Sequence, residues 1–405
     1  MTTTPHYSPE AVFADAGRSS VTIPRVLIAP ARYIQGPGVL DNLARYLAVV
    51  PSSHPAVLIS PGGQARLGDR LQASFTLHKI TPVVHLFAGE CSFENVARIA
   101  DVMKKRDRAV DAIIAVGGGK CLDAGKSVAF RLDLPVITCP TIASTDAPCS
   151  AVSVMYTEEG VQIRPEFYPR SPAMVVVDSE CIVNAPVRQF IAGMGDALAT
   201  HYEVQTCSAN PLARSIVGAR PTLAVLALAQ LCAATILDRG QEAAIAVARN
   251  EITDAVESVI EANTLLSGVG FESGGLAVAH AIAAGLTVIP RLHSEYLHGE
   301  LVGIGLLTQL IVEDNMSEAL RVAEFLTAVG LPVNAGQLSL TIETDAEQLN
   351  AAFEEAVASG LTEAEAWPVT PEMLFEAFVK ADRLGRALAE KTGCEPYHLL
   401  HSSKK

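Results

Sequence analysis

The first half of the chain alternates short apolar runs with longer segments of helical periodicity. The apolar runs, rich in β-branched residues, lie at 56–60, 83–89, 112–119, 135–141 and 174–178. This alternation is typical of parallel strands joined by crossover helices. Because the runs are almost continuously apolar, we expect helices on both faces of the sheet. This half is therefore predicted to be a Rossmann-like α/β domain.

Beyond about residue 185 the apolar positions recur with a helical period. Helices are predicted at 221–238, 250–267 and 276–284, so the second half is expected to be all-helical. We predict three parts with an active site in the cleft between the last two: an N-terminal extension at 1–24, an α/β nucleotide-binding domain at 25–180 and an all-helical metal-binding domain at 181–405. An acidic stretch at 362–366 is interpreted as a solvated helix face.

Composition narrows the classes of partner. The 405 residues carry a net charge of −14, which argues against nucleic acid, since binding to phosphate backbones needs a basic face. No secretory signal is visible, and the most apolar stretch, 223–237, is shorter than a bilayer span of about 20 residues. The eight cysteines form no C-x-x-C pair. We therefore expect a cytoplasmic protein with reduced thiols, no membrane contact and a small-molecule ligand.

A glycine-rich loop follows the third apolar run. In AVGGGKCLDAGKSVAF, residues 115–130, a strand, three glycines and a helical pattern create a helix start that can receive a phosphate. A Walker A motif fails at Lys120, and a G-x-G-x-x-G dinucleotide motif fails at Leu122. A tight turn without a ligand is the alternative, but three consecutive glycines have a high entropic cost. The pattern favours phosphate contact.

The segment PTIASTDAPCS at 140–150 directly follows the next strand, where ligands of open α/β sheets bind. Thr141, Ser144 and Thr145 are candidates to donate to a phosphate or ribose, and Asp146 to accept from substrate hydroxyls. A turn capped by Ser, Thr and Asp is an equally open interpretation of these residues alone.

Three residues of the second half are candidate metal ligands: Asp196 in GMGDALATHYE, His280 in a run of small apolar residues, and His298 in YLHGE. One Asp and two His suit Zn²⁺ or Fe²⁺ and leave positions open for substrate. An N-cap is the simplest alternative for Asp196, and a core histidine is the alternative for His280.

Convergence of the two histidines requires the chain to turn between them. On one straight helix, 18 residues would separate His280 and His298 by about 27 Å, but Gly285 and Pro290 are expected to break that helix. His201, His293 and the Tyr-His pair at 397–398 are competing ligands.

Five strings, in order, carry a resemblance to a known family: GGGKCLDAGK, PTIASTDAPCSAVSVMYT, GMGDALAT, EANTLLSGVGFESGG and YLHGE. Over roughly residues 27–385 the chain resembles the glycerol dehydrogenases of the metal-dependent (iron-containing, group III) alcohol dehydrogenase superfamily. The resemblance implies oxidation of glycerol, or a related vicinal diol, to dihydroxyacetone or the hydroxyketone. It also implies NAD and bound zinc as cofactors and a large cyclic homo-oligomer, typically an octamer.

The resemblance also assigns roles to residues. The metal ligands fall on Asp196, His280 and His298, and the substrate on Asp146 and His280. Separately from the resemblance, a water chain to Asp123 or Asp146 is a candidate path for the proton. The cofactor contacts fall on Gly118, Gly119, Lys120, Cys121, Leu122, Asp123, Thr141, Ile142, Ala143, Ser144, Ser150, Val152 and Tyr156.

The chain departs from the family pattern at two places. Ala283 stands where a second histidine is common, which implies a less polar pocket. After the second strand, where the family has an acidic residue for the ribose hydroxyls, the chain reads Ser60-Pro61-Gly62-Gly63. NADP therefore stays open beside NAD, with Arg66 or Arg70 as the partner of a 2′-phosphate.

Rival functions on the same architecture also remain open. They are a dehydroquinate-synthase-like lyase, a glycerol-1-phosphate dehydrogenase and a non-catalytic binding protein. The second would need a basic cluster around 140–160 or 273–300, where the sequence has none.

Overall fold

A six-stranded parallel sheet forms the first half of the molecule. The computed structural model describes residues 7–13 and 23–402, so most of the predicted N-terminal extension lies outside the described residues. The strands of the sheet follow the order β1-β8-β5-β4-β2-β3. They are β1 Tyr33–Gly36, β2 Ala56–Ile59, β3 Val83–Leu86, β4 Ile113–Gly117, β5 Val136–Pro140 and β8 Met174–Asp178.

The buried strands are the ones that the apolar runs predict. Every residue of β2, β4, β5 and β8 is buried, because helices cover both faces of the sheet. The edge strand β3 alternates half-buried and exposed positions instead. The predicted fold class, a Rossmann-like α/β sheet followed by an all-helical part, is confirmed.

An antiparallel hairpin, β6 Val152–Tyr156 with β7 Gln162–Phe167, lies outside the main sheet and was not predicted. Four of the six residues of β7 are exposed and one is Pro165. The strand therefore has no run of buried apolar positions that the sequence pattern could reveal. Ser153 anchors the hairpin by donating from Oγ to the carbonyl of Asp123 at 2.9 Å.

Helices build the rest of the molecule. The predicted helices at 221–238 and 276–284 correspond to α8 and α11, and the one at 250–267 is divided into α9, a π-helical turn at Ala262–Leu266 and the start of α10. The α-helices are α1 Pro9–Phe13, α2 Leu43–Tyr46, α3 Pro61–Leu77, α4 Phe93–Lys104, α5 Gly119–Leu132, α6 Ser179–Val183, α7 Val187–Ala209, α8 Leu223–Val247, α9 Asp254–Glu261, α10 Ser267–Gly274, α11 Val278–Leu286, α12 Pro290–Glu295, α13 His298–Val312, α14 Met316–Val329, α15 Ala346–Ala358, α16 Pro371–Thr392 and α17 Glu395–His401. Short 3₁₀ turns lie at Val39–Asn42, Leu47–Val49, Ala335–Leu338 and Leu361–Ala364.

Helix α8 is longer than the predicted apolar stretch. By length and composition it could cross a bilayer, and the α9–α10 segment with α11 passes the same test as a pair bent by 101°. The core helix of a water-soluble protein passes that test too. One side of α8 is buried through Val225, Cys232 and Ile236, which are fully inaccessible.

The acidic stretch at 362–366 is not the solvated helix face that its charge pattern predicts. It forms the 3₁₀ turn Leu361–Ala364, and Glu365 is only 5% exposed. Burial and the neighbouring Glu313 raise the pKa of Glu365 to about 8. The prediction failed because burial beside Glu313 favours the neutral form of Glu365, so its charge does not hold it at the surface.

Candidate metal centre

Asp196 lies in the middle of α7, so the N-cap interpretation of this residue is wrong. Its side chain is 1% exposed. Within the described part of the chain, neither of its carboxylate oxygens has a hydrogen bond of regular geometry. A buried carboxylate without regular hydrogen bonds is costly, so this residue favours a positively charged or donating neighbour.

His280 lies in the first turn of α11 and is buried. Its Nε2 atom lies 3.2 Å from Oδ1 of Asp196. Its other ring nitrogen, Nδ1, lies 2.6 Å from Oε2 of Glu203. The imidazole is therefore held between two carboxylates rather than packed as an apolar core residue.

His298 is the first residue of α13, and its Nε2 atom lies 3.4 Å from the same Asp196 oxygen. Helices α7 and α13 cross closely enough to allow this only because both carry glycine at the crossing. A Cβ atom on Gly299 would lie 1.8 Å from the carbonyl oxygen of Ala192, and one on Gly195 would lie 2.3 Å from that of Gly299.

The turn between the histidines differs from the prediction. Gly285 does not break α11, which continues to Leu286. Glycine is needed there because a Cβ atom would lie 2.1 Å from the carbonyl oxygen of Ala352. Pro290 does act as predicted, since it begins the short helix α12 that reverses the chain.

Electrostatics reflect the close approach of these groups. Burial alone would raise the pKa of Asp196, but His298 and His280 outweigh it and lower the pKa. For His280, burial opposes the charged ring, yet Glu203 and Asp196 raise its pKa well above the usual value. The three side chains thus form one strongly coupled cluster.

The donor set fits a divalent metal ion. One atom each from Asp196, His280 and His298 lies within 4.8 Å of the others. Both buried oxygens of Asp196 lack a regular hydrogen bond to any described residue, and the side chain of His298 remains 46% exposed. Nitrogen and oxygen ligands in this number suit Zn²⁺ or Fe²⁺. The competing residues His201, His293 and His398 do not join this group. The role of the three residues as ligands stays a prediction.

Asp146 belongs to the loop after β5 and lies near the same cluster. Ser267, the first residue of α10, donates from Oγ to Oδ2 of Asp146 at 3.0 Å, and Thr200 of α7 joins Ser267 at 2.9 Å. Burial raises the pKa of Asp146 well above its usual value, and the nearby Asp196 adds to that rise. The carboxyl group of Asp146 therefore lies near the candidate metal ligands, and Ser267 holds its Oδ2 atom.

The predicted cofactor residues meet at one edge of the sheet. Gly118 caps α5 directly after β4, and the 141–144 segment follows β5, its parallel neighbour. Tyr156 of the hairpin lies beside this edge, with the Lys120 ammonium group 5.7 Å from its ring centroid. The side chains of Cys121, Leu122 and Ala143 are buried, so these positions can offer only backbone groups to a ligand.

Lys126 joins the start of α5 to the hairpin. Its ammonium group lies 2.9 Å from Oδ1 of Asp123 and 3.4 Å from Oγ of Ser150, and it also donates to the carbonyls of Ala147 and Val152. The second oxygen of Asp123 accepts from the backbone of Val154. Burial raises the pKa of Asp123 against the effect of Lys126. Both oxygens are used within the chain, and the predicted proton path through Asp123 stays a prediction.

Known proteins are similar to this chain over most of its length. The model of the family described as iron-containing alcohol dehydrogenase matches residues 30–179. A glycerol dehydrogenase of Thermotoga maritima is 41% identical over 360 residues, which cover 89% of this chain and 97% of that protein. A glycerol dehydrogenase of Escherichia coli O6:H1 is 41% identical over 373 residues, which cover 91% of this chain and 99% of that protein. The chain belongs to the iron-containing alcohol dehydrogenase family.

A solved structure of the same family agrees with the fold. Glycerol dehydrogenase of Schizosaccharomyces pombe superposes with a TM-score of 0.85 at 32% identity, over 91% of this chain and 93% of that one. The predicted resemblance to this family is therefore confirmed.

Several residues that support the site were missed from the sequence. Asn263, in the π-helical turn, donates to the carbonyls of Ala143 and Phe190, which ties the 141–144 segment to α7. Glu203 contacts the candidate metal ligand His280, and Ser267 contacts Asp146. The signal for Glu203 was available, because it follows Asp196 by seven residues and so lies on the same face of α7. No comparable signal marks Ser267 or the π-helical turn.

The departures from the family pattern are also visible in the structure. Ser60 caps α3 by accepting from the backbone of Gly63. Arg70 is not free for a 2′-phosphate, because it contacts Asp41, Asp178 and Glu180 at 2.7, 3.1 and 3.2 Å. Ala283 is fully buried in the core of the helical part.

Proposed function

We propose that the chain is an NAD-linked glycerol dehydrogenase, which oxidises glycerol, or a related vicinal diol, to the hydroxyketone. The observation that carries this proposal is the convergence of Asp196, His280 and His298 near Asp146. The relatives named glycerol dehydrogenase, similar over nearly the whole chain, support it.

In this proposal Asp196, His280 and His298 hold one Zn²⁺ ion, with Fe²⁺ as the alternative. A bound divalent metal supplies Lewis-acid chemistry, lowering the pKa of a coordinated hydroxyl group. Asp196 would contribute a negative charge through its buried oxygens, which lack regular hydrogen bonds to the described residues. His280 and His298 contribute neutral ring nitrogens.

Asp146 selects the substrate. Ser267 occupies Oδ2 of Asp146, which leaves the other oxygen to accept from a second substrate hydroxyl. A simple alcohol would leave that acceptor unpaired, and an unpaired buried acceptor costs about 1–3 kcal/mol. This difference favours polyols over monohydric alcohols.

The start of α5, the 141–144 segment and the hairpin would hold the cofactor. Backbone N–H groups at Gly119 and Lys120 would receive its pyrophosphate at the helix start, and the nicotinamide would supply the hydride acceptor. Lys126 and Asn263 hold the surrounding loops through the contacts described above. NAD is the expected cofactor, and the missing acidic residue at position 60 leaves NADP as the alternative.

We also propose that the protein is a cytoplasmic homo-oligomer, an octamer as the family resemblance implies, without membrane or nucleic-acid partners. The outer face of α8 supports an assembly, since Leu223, Leu231 and Ile245 are 79%, 53% and 50% exposed. Analytical ultracentrifugation should give a multi-subunit mass for the wild type and a smaller one for Leu231→Glu. A monomeric wild type would contradict the assembly.

A substrate panel tests the proposed activity. Purified protein is incubated with glycerol, 1,2-propanediol, 2,3-butanediol and 2-propanol, each with NAD and with NADP, and reduced nicotinamide is followed by absorbance. The proposal expects vicinal diols to be oxidised much faster than 2-propanol. No net reduction of nicotinamide with any of them would favour the lyase alternative, and activity limited to glycerol 1-phosphate would favour the phosphate-specific enzyme.

A further inference from the structure

Glu203 is fully buried and lies two turns after Asp196 on α7. Seven residues at 3.6 per turn place the two side chains within about 20° of each other around the helix axis. Both carboxylates therefore face His280. Asp196 approaches one ring nitrogen and Glu203 the other.

The contacts of Glu203 are all with hydrogen-bond donors. Oε1 accepts from the backbone N–H of Ala277 at 2.8 Å and from that of His280 at 2.9 Å. Oε2 lies 2.6 Å from Nδ1 of His280. A hydrogen bond between them places the proton of the neutral ring on Nδ1, so that Nε2 keeps its lone pair on the side of Asp196.

Glu203 also helps to start the helix that carries His280. Ala277, at the N-cap of α11, has no side chain able to cap the helix, and a buried helix start leaves unpaired N–H groups. Glu203 accepts from the backbone N–H groups of Ala277 and His280, and Gln309 of α13 accepts from the backbone N–H of Ala279 at 2.9 Å. The backbone and the ring of His280 are thus held by the same carboxylate.

We propose that Glu203 is the positioning residue of the metal centre, fixing His280 in the Nδ1–H tautomer and in the orientation that presents Nε2 to the ion. This inference rests on the proposed function only in requiring that the trio binds a metal ion. Carboxylates behind metal-binding histidines raise metal affinity by fixing ring orientation and tautomer.

Glutamine cannot replace Glu203 without a conflict. The three partners are donors, whereas the amide of glutamine has one acceptor atom and one NH₂ group. With NH₂ towards Nδ1, the ring must move its proton to Nε2, the nitrogen needed for metal. With its NH₂ group towards the backbone, the glutamine places a donor against two other donors, the N–H groups of Ala277 and His280. Either orientation disturbs the centre although the side chain keeps its shape.

The experiment measures Zn²⁺ affinity of purified, metal-stripped protein by competition with a chromophoric chelator. Glu203→Gln should weaken binding about 10–100-fold. The matched control is Glu365→Gln, which makes the same change in a nearby buried carboxyl group. Because the pKa of Glu365 is raised to about 8, glutamine resembles its protonated form at pH 7, and Zn²⁺ affinity should stay at the wild-type value.

A second variant and a spectroscopic readout keep the inference open to refutation. Glu203→Asp keeps the charge but moves the carboxylate away from Nδ1 of His280, so it should bind Zn²⁺ more weakly than the wild type. This variant tests the inference if Glu203→Gln does not fold. ¹⁵N-histidine spectra of the Zn²⁺-loaded protein should show a proton on Nδ1 of His280 and none on Nε2 in the wild type, and this pattern should be lost in Glu203→Gln. Wild-type affinity in folded Glu203 variants, or an Nε2–H ring in the wild type, would overturn the inference. A wild type that binds no Zn²⁺ would instead contradict the proposed function.

Discussion

The hydroxyl group of Ser267 donates to Oδ2 of Asp146 at 3.0 Å across 121 residues of sequence. The bond joins the first residue of a helix in the all-helical part to the loop that follows β5. It orients the carboxyl group that we propose to bind the second hydroxyl of the substrate.

Removing this bond should reduce selectivity more than stability. In Ser267→Ala, we expect kcat/KM for glycerol to fall about tenfold, corresponding to about 1.4 kcal/mol for the loss of one hydrogen bond. Turnover of 2-propanol should change little, because it makes no use of Asp146. Ser273→Ala is the control. It removes a hydroxyl group from the same helix, but that hydroxyl donates to the backbone carbonyl of Ile28 and not to Asp146. The ratio of kcat/KM for glycerol to that for 2-propanol should therefore match the wild type. Equal losses on both alcohols would exclude the selective role.

Cofactor preference should respond to residue 60. Ser60→Asp restores an acidic group beside the expected ribose position while keeping a good N-cap for α3. We expect it to raise KM for NADP at least about tenfold by repulsion of the 2′-phosphate, with KM for NAD unchanged or lower. Ser60→Asn is the control, since it caps the helix without charge. An identical NADP-to-NAD ratio in Ser60→Asp and Ser60→Asn would show that the adenine ribose lies elsewhere.

The buried ion pair of Lys126 and Asp123 should be essential for stability. The two side chains are 1% and 9% exposed, so Lys126→Met leaves an uncompensated buried carboxylate and should lower the free energy of unfolding by about 3–5 kcal/mol. The double variant with Asp123→Asn removes that charge and should recover about 2 kcal/mol. Urea unfolding followed by circular dichroism measures both. A double variant no more stable than Lys126→Met would contradict this explanation.

Stability should fall as pH rises towards 8 because of Glu365 and Glu313. The pKa of Glu365 is raised by burial and by Glu313 to about 8, so the folded state holds a proton that the unfolded state releases above about pH 4.5. The folded state binds more protons between these values, and stability must decline there by at most about 1.4 kcal/mol per pH unit. Urea midpoints from pH 5 to 8.5 should show a shallower decline for Glu365→Gln than for Glu354→Gln, an exposed control. Parallel curves for the two variants would rule out this source.

The parts predicted well from sequence are those that a local pattern determines. Buried parallel strands are recognisable as continuous apolar runs, and His280 stands out because polar groups are rare among small apolar residues. The resemblance to the family selects Asp196 and His298 with it. Their supporting contacts arise from tertiary structure instead. Ser267 meets Asp146 directly after the π-helical turn at 262–266, and Glu365 is buried beside Glu313. The exposed strand β7, with a proline inside it, carries no periodic signal at all.

Metal removal tests the central claim most directly. The protein is dialysed against a strong chelator, its metal content is measured by mass spectrometry, and NADH formation from glycerol is followed before removal, after removal and after Zn²⁺ is restored. The proposed function expects one metal ion per chain, loss of metal and turnover together, and recovery on addition of Zn²⁺, with His280→Ala showing neither binding nor recovery. Full glycerol oxidation by metal-free protein, or by His280→Ala, would contradict it.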